Sequence, residues 1–202
     1  TESLLKKVEQ VGFVSYSKIP TLNMMGGELS INATLAFASQ LSSKGIMYTS
    51  GIKKPIKYKN SNNKTSVTIP LKYKRNGNIV LFDGIGFVLL NKEKQNKISK
   101  KLAARLCSQY NLPAFGIIIY SKRKIIPYIY VKKVDSFVKE SACGSGSIAF
   151  SIFSGFNRVI QPTGKLIYIK INKGNFEISA KVNKLKKIKL TNQRGETWPQ
   201  NQ

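Results

Sequence analysis

The sequence predicts a mixed α/β (α+β) protein built as two pseudo-symmetric halves. Three observations carry that expectation. Strand-like stretches alternate with three segments of helical spacing. Two of the helix starts repeat each other. The length, 202 residues, suits two small domains or one compact one.

Taken in order, residues 11–16 read as a short strand and Met25-Gly-Gly-Glu28 as a turn. From Ser30 onward Ile31, Leu35, Ala38 and Leu41 fall at helical spacing, with Gly45 expected as the C-terminal stop. Strands are expected over 56–59 and 65–71, across a polar turn at 60–64, and Asn76-Gly77-Asn78 is a hairpin signal. Residues 79–90 are strand-like, broken at Asp83-Gly84. Ile98, Leu102, Leu106 and Tyr110 predict a second helix closed by Pro113. Strands follow at 114–120 and 127–131 around Lys122-Arg-Lys124, with Tyr120, Tyr128 and Tyr130 as strand-packing residues. A third helix is expected over 144–156, then a hairpin of 166–171 with 175–182 across Lys173-Gly174, and a last strand ending near Leu190. The halves divide as 1–76 and 77–190, and the polar residues 191–202, with Trp198, read as a disordered tail.

Composition excludes several classes of function. Lys and Arg number 34 against nine acidic residues, a net charge of +25, and there is no histidine. Histidine-based triads are therefore excluded, and two cysteines without histidine make no structural zinc site or disulfide framework. No run is long enough to span a bilayer and the start carries no signal-peptide core, so a cytoplasmic location is expected. The lysines are dispersed, without an arginine-rich arm or a ribonucleoprotein aromatic motif. Nucleic acid is thus expected to bind only non-specifically, through charge. Asp83-Gly-Ile-Gly86 lacks the third glycine and helix of a dinucleotide fingerprint.

The repeat locates the candidate chemistry. Ser30-Ile-Asn-Ala-Thr-Leu-Ala-Phe-Ala38 aligns with Cys143-Gly-Ser-Gly-Ser-Ile-Ala-Phe-Ser151, so that Leu35 faces Ile148, Ala36 faces Ala149 and Phe37 faces Phe150. The first N–H groups of a helix lack intrahelical acceptors and attract anions. Glycines 144 and 146 leave the approach open. The same potential is expected to lower the thiol pKa of Cys143, making it a base for a proton on a carbon next to a carboxylate; the other reading of the same residues is a tight glycine entry to a helix with Cys143 as a small buried side chain. Cys107, beside Leu106, reads as core.

These residues reach a family. Glu140-Ser-Ala-Cys143-Gly-Ser-Gly-Ser147 resembles the second cysteine motif of the diaminopimelate epimerase superfamily, and Met25-Gly-Gly-Glu28-Leu-Ser30-Ile-Asn32-Ala-Thr34 resembles its first, commonly Glu-X-Cys-Gly-Asn. Glu9-Gln-Val-Gly-Phe13 and Gln161-Pro-Thr-Gly-Lys165 resemble flanking segments. Within the superfamily the stretch from Pro127-Tyr-Ile-Tyr-Val131 through Glu140 to Gly146 resembles the staphylopine-type histidine racemases. The resemblance implies two halves, each a curled, mostly antiparallel sheet around a central helix, with the site between the two helix starts. It implies proton transfer at the α-carbon of an amino acid with no pyridoxal phosphate and no metal. Cys143 and Ser30 would be the acid/base pair. Gly144, Ser145 and Gly146 would hold the α-carboxylate, Asn32 would contact the substrate, and Glu9 and Glu140 would bind its amino group or orient the cysteines. A homodimer is compatible with it.

Three departures stand out. Ser30 occupies the first cysteine position, Ile31 the glycine after it, and the family's first strand is expected to be missing before Thr1. A serine hydroxyl without histidine is a weak acid, so weakened activity is expected. Ser30 fits an engineered Cys→Ser variant, a one-thiol isomerase or a decayed enzyme. The alternative functions are a non-catalytic member that binds an amino acid or anion, a carboxylate-driven isomerase using Glu28 or Glu140, and a basic nucleic-acid-associated protein.

Overall fold

The computed structural model describes residues 10–94 and 98–183. The strands are β1 (Gly12–Ser15), β2 (Thr21–Met24), β3 (Lys44–Thr49), β4 (Ile56–Ser61), β5 (Lys64–Pro70), β6 (Tyr73–Asn76), β7 (Ile79–Phe82), β8 (Ile85–Asn91), β9 (Ala114–Ser121), β10 (Lys124–Val131), β11 (Ser136–Lys139), β12 (Arg158–Ile160), β13 (Leu166–Asn172) and β14 (Asn175–Lys181). The α-helices among the described residues are α1 (Ile31–Ala38), α2 (Lys100–Gln109) and α3 (Gly144–Ser154).

The strands form one hydrogen-bonded path, β1-β2-β3-β4-β5-β14-β13-β12-β10-β9-β8-β7-β6, with β11 added on β10. Most pairs are antiparallel; β2–β3, β10–β12 and β8–β9 are parallel. The parallel β8–β9 pair needs a crossover, and α2 supplies it. Helix α3 packs on β7, β8 and β9 and also on β12 and β13, strands on both sides of β10 in the path. One helix reaches both groups because the sheet curls around it. Helix α1 packs on β4 and β5 and on α3.

Two apolar clusters follow. The larger joins Ile31, Leu35 and Phe37 of α1 with Ile148, Ala149 and Phe150 of α3 and with strand residues such as Met47, Val67, Phe87, Ile118 and Ile178. The smaller lies under α2, where Ala103, Leu106 and Cys107 meet Val88, Phe115, Ile117 and Ile119. Strands β8 and β9 are thus covered on both faces, which explains their unbroken apolar runs, Phe87-Val-Leu89 and Phe115 to Ile119.

Some elements differ from the sequence expectation. Helix α1 ends at Ala38, and Gly45 lies in β3, where an added Cβ would come within 2.7 Å of the Tyr58 hydroxyl. The glycine serves a close cross-strand approach rather than a helix stop. Helix α2 starts at Lys100 with Ser99 as its cap, so Ile98 lies outside it. Helix α3 stops at Ser154, with Gly155 in the left-handed conformation that favours glycine. The short strands β2, β11 and β12 carry too few residues to show a period. Tyr120 packs on Phe150 and Phe153, Tyr128 stacks on Phe137 and Tyr130 is buried, as strand-packing residues should be. Glu9, Trp198, the tail and the last strand near Leu190 lie outside the described residues. No helix among the described residues is long and apolar enough to cross a membrane.

Candidate active site

The two helix starts that repeat in sequence repeat in hydrogen bonding. Ser30 caps α1 and Cys143 caps α3, both in extended backbone conformation. The Ser30 Oγ accepts the Ala33 N–H at 3.2 Å, and the Cys143 Sγ accepts the Gly146 N–H at 3.3 Å. One turn on, Thr34 donates its hydroxyl to the Ser30 carbonyl at 2.6 Å, and Ser147 donates its own to the Cys143 carbonyl at 2.6 Å. Each cap satisfies an N–H group that the helix cannot.

The starts also touch each other. Asn32, the second residue of α1, donates its side-chain amide to the Ala142 carbonyl at 2.8 Å, bridging 110 residues of sequence. An added Cβ on Gly144, the first residue of α3, would lie 2.4 Å from both Cβ and Cγ2 of Ile31 and 3.2 Å from the Asn32 Oδ1. The Gly144 backbone is therefore in direct contact with Ile31. At that spacing only glycine fits.

The two caps differ in their electrostatics. Ser30 donates its proton to the Gln10 Oε1 at 2.6 Å and is 5% exposed. An amide oxygen takes no proton, so nothing in this contact activates the hydroxyl. Cys143 is 4% exposed, and its thiol pKa is raised well above the ordinary value. Burial is the largest cause, followed by the charge of Glu140 and a hydrogen bond to it; the Gly146 N–H and Ser145 pull weakly the other way. The expected lowering at a helix start is thus overruled. The N–H potential is present, but desolvation and an adjacent carboxylate outweigh it. Cys143 rests as a thiol hydrogen-bonded to Glu140.

Of the residues singled out from sequence, Ser30, Asn32, Cys143, Gly144, Ser145, Gly146 and Glu140 are gathered at the two helix starts. Glu140 is held just beyond β11, its N–H donating to the Pro127 carbonyl at 3.0 Å. Glu28 is tied through its carbonyl to the Ser50 hydroxyl on the loop before α1. Cys107 is buried under α2, with its pKa raised by desolvation, as a core thiol.

Two glutamines complete the site without having drawn attention. Gln161 is 1% exposed; its Oε1 accepts the Cys143 N–H at 2.9 Å and its Nε2 donates to the Ser147 hydroxyl at 2.9 Å. It locks the cap and the first turn of α3 together. Gln10 meets the other cap differently, its Oε1 accepting the Ser30 hydroxyl itself. The signal available was their place in the two flanking segments, Glu9-Gln-Val-Gly-Phe13 and Gln161-Pro-Thr-Gly-Lys165. Among the described residues no group of three or more potential metal-ligating side chains is present.

A family model described as the histidine racemase CntK N-terminal domain matches residues 44–194. A histidine racemase of Fusobacterium nucleatum is 30% identical over 210 positions, spanning 84% of this chain and 77% of the relative. That of a second strain is 28% identical over 84% of this chain and 78% of its own. A phenazine biosynthesis PhzC/PhzF protein of Clostridium difficile superposes with a TM-score of 0.57 at 15% identity, over 88% of this chain and 81% of its own. A phenazine biosynthesis PhzF-family protein of Enterococcus faecalis gives 0.56 at 11% identity, over 89% and 82%. At such identities these two structures speak for the fold alone, and they agree with the curled α/β architecture.

Proposed function

The chain belongs to the histidine racemase family, and from that premise we propose that it exchanges the α-proton of an amino acid without an organic cofactor, using Cys143 as its working acid/base. The observation that carries the proposal is the pairing of two equivalent helix starts, capped by Ser30 and Cys143 and tied by the Asn32–Ala142 hydrogen bond. Histidine is the first substrate to test, since the relatives are named for it.

The roles follow from the chemistry of each group. The N–H groups of Gly144 and Ser145 have no intrahelical acceptor and form the anionic end of the site, for the α-carboxylate. Glu140, a carboxylate, takes the cationic end of the substrate. An ammonium group against it neutralises the charge that holds the Cys143 proton, so substrate binding eases loss of that proton to solvent. The thiolate then takes the α-proton and becomes a thiol, and the negative charge spreads into the carboxylate held by the helix start. Returning a proton from Cys143 restores the starting enantiomer; delivery from Ser30 on the other face gives inversion. The Ser30 proton is engaged by Gln10 and its hydroxyl is a weak acid, so inversion is slower than exchange.

The test is α-proton exchange in deuterated water over L- and D-amino acids including histidine and diaminopimelate, read by mass spectrometry and chiral chromatography. Deuterium uptake that outpaces inversion, lost in Cys143→Ala, is expected. Uptake unchanged in Cys143→Ala would overturn the assignment of the base. No uptake on any substrate would overturn the racemase reading and leave a binding or decayed protein of the same fold.

A further inference from the structure

Ile31 occupies an unusual place. It is the first residue of α1, is 3% exposed and belongs to the larger apolar cluster. Its Cβ and Cγ2 lie against the Gly144 backbone of the other half, close enough that no side chain at 144 fits between them. Gly144 is the residue next to Cys143 and the first of the N–H groups at the start of α3. Beside it the Asn32–Ala142 hydrogen bond holds the two starts at this spacing. Ile31 thus stands against the Gly144 backbone on the α1 side, and Cys143, the residue before Gly144, is 4% exposed.

We propose that Ile31 is the access-determining residue of the site: its Cβ and Cγ2 cover the Gly144 backbone, and the room at position 31 sets how freely a carboxylate reaches Cys143. The inference rests on reading the α3 start as the carboxylate end of the site. It goes beyond that reading by assigning control of entry to a residue with no polar group. The two shielding atoms are both kept in valine and both lost in glycine, so the inference makes an unequal prediction for two substitutions at one position.

The experiment alkylates wild type, Ile31→Val and Ile31→Gly in parallel with iodoacetate and with iodoacetamide at one pH, and maps the modified peptide by mass spectrometry. A buried thiol reacts only through opening of its cover. In Ile31→Gly the Cys143 rate is expected to rise on the order of tenfold, and more for iodoacetate, whose carboxylate can dock on the freed N–H groups. Ile31→Val should match wild type. Cys107, buried in the separate cluster under α2, is the internal reporter of general loosening and should stay slow in all three. An unchanged Cys143 rate in Ile31→Gly overturns the proposal. So does a valine variant as fast as glycine, a parallel rise at Cys107, or an equal gain with both reagents. Exchange of α-protons on the same variants keeps the two ideas apart. A gain in alkylation with no exchange anywhere sinks the catalytic reading and leaves the access role standing.

Discussion

At the scale of single residues the site is defined by two caps with the same geometry and different chemistry. Cys143 keeps its proton because it is buried beside Glu140. Glu140→Gln removes the charge that raises the pKa, so the alkaline rise in Cys143 alkylation should move to lower pH; a profile that stays in place would deny Glu140 this influence. The folded-state pKa is raised, so the thiol contributes stability below its unfolded value of about 8.5 that is lost as pH climbs through the folded value. Cys143→Ser should flatten that alkaline loss in a thermal-melt series. For Ser30, replacing the hydroxyl by a thiol supplies a second competent acid. Ser30→Cys is expected to raise inversion relative to exchange by about 10²-fold, the lower range for a positioned proton donor. An unchanged ratio would mean that something other than the acidity of residue 30 limits inversion. The place of Cys143 and its glycines at a helix start was legible in the sequence, from the apolar spacing that follows them and their alignment with Ser30. Gln10 and Gln161 were not, since a glutamine in a turn looks the same whether it faces water or locks a cap.

At the scale of elements, the contact between the two helix starts decides the site's shape. Gly144→Ala places a methyl 2.4 Å from the Ile31 Cβ and Cγ2, and overpacking of this kind costs about 1–3 kcal/mol. The strain should be relieved in the double variant with Ile31→Gly and persist with Ile31→Val, because valine keeps both atoms. A double-mutant cycle by denaturant unfolding reads the difference as a coupling energy. Additive effects in both pairs would mean the backbones separate instead. The helices were legible through their spacing, and the likeness of the α1 and α3 starts through the repeat. The order of strands was not. The pairing of β5 with β14, which spans more than a hundred residues, and the parallel β8–β9 pair are long-range registers that no local pattern encodes. Gly45 was misread for a related reason: a glycine that admits the Tyr58 hydroxyl and a glycine that ends a helix are the same letter.

At the scale of the whole molecule the charge and the site pull in different directions, and salt separates them. Even if each of the nine acidic side chains found a basic partner, 25 of the 34 basic ones would remain without one. The described pair, Lys100 with Asp135 at 2.6 Å, is exposed on both sides and relieves little. The folded chain therefore concentrates like charge that the unfolded chain spreads out. Raising sodium chloride from about 0.01 M to about 0.1 M shortens the screening length from about 30 Å to about 10 Å, which weakens that repulsion most in the compact state. The melting temperature should rise by about 2–4 °C for each 1 kcal/mol relieved in a chain of this length. Retention on a polyanion should fall steeply over the same range, because it works by releasing counterions. Amino-acid binding in the proposed mode at the α1 and α3 starts should change little: a zwitterion has no net charge, and its two ends would meet local partners, Glu140 and the helix N–H groups, well inside one screening length. Calorimetric titration with histidine at both salt concentrations, beside a melt and a heparin column, reads all three. Amino-acid affinity that collapses with salt in step with polyanion retention would mean that the ligand is held by the diffuse basic surface and not between the helix starts.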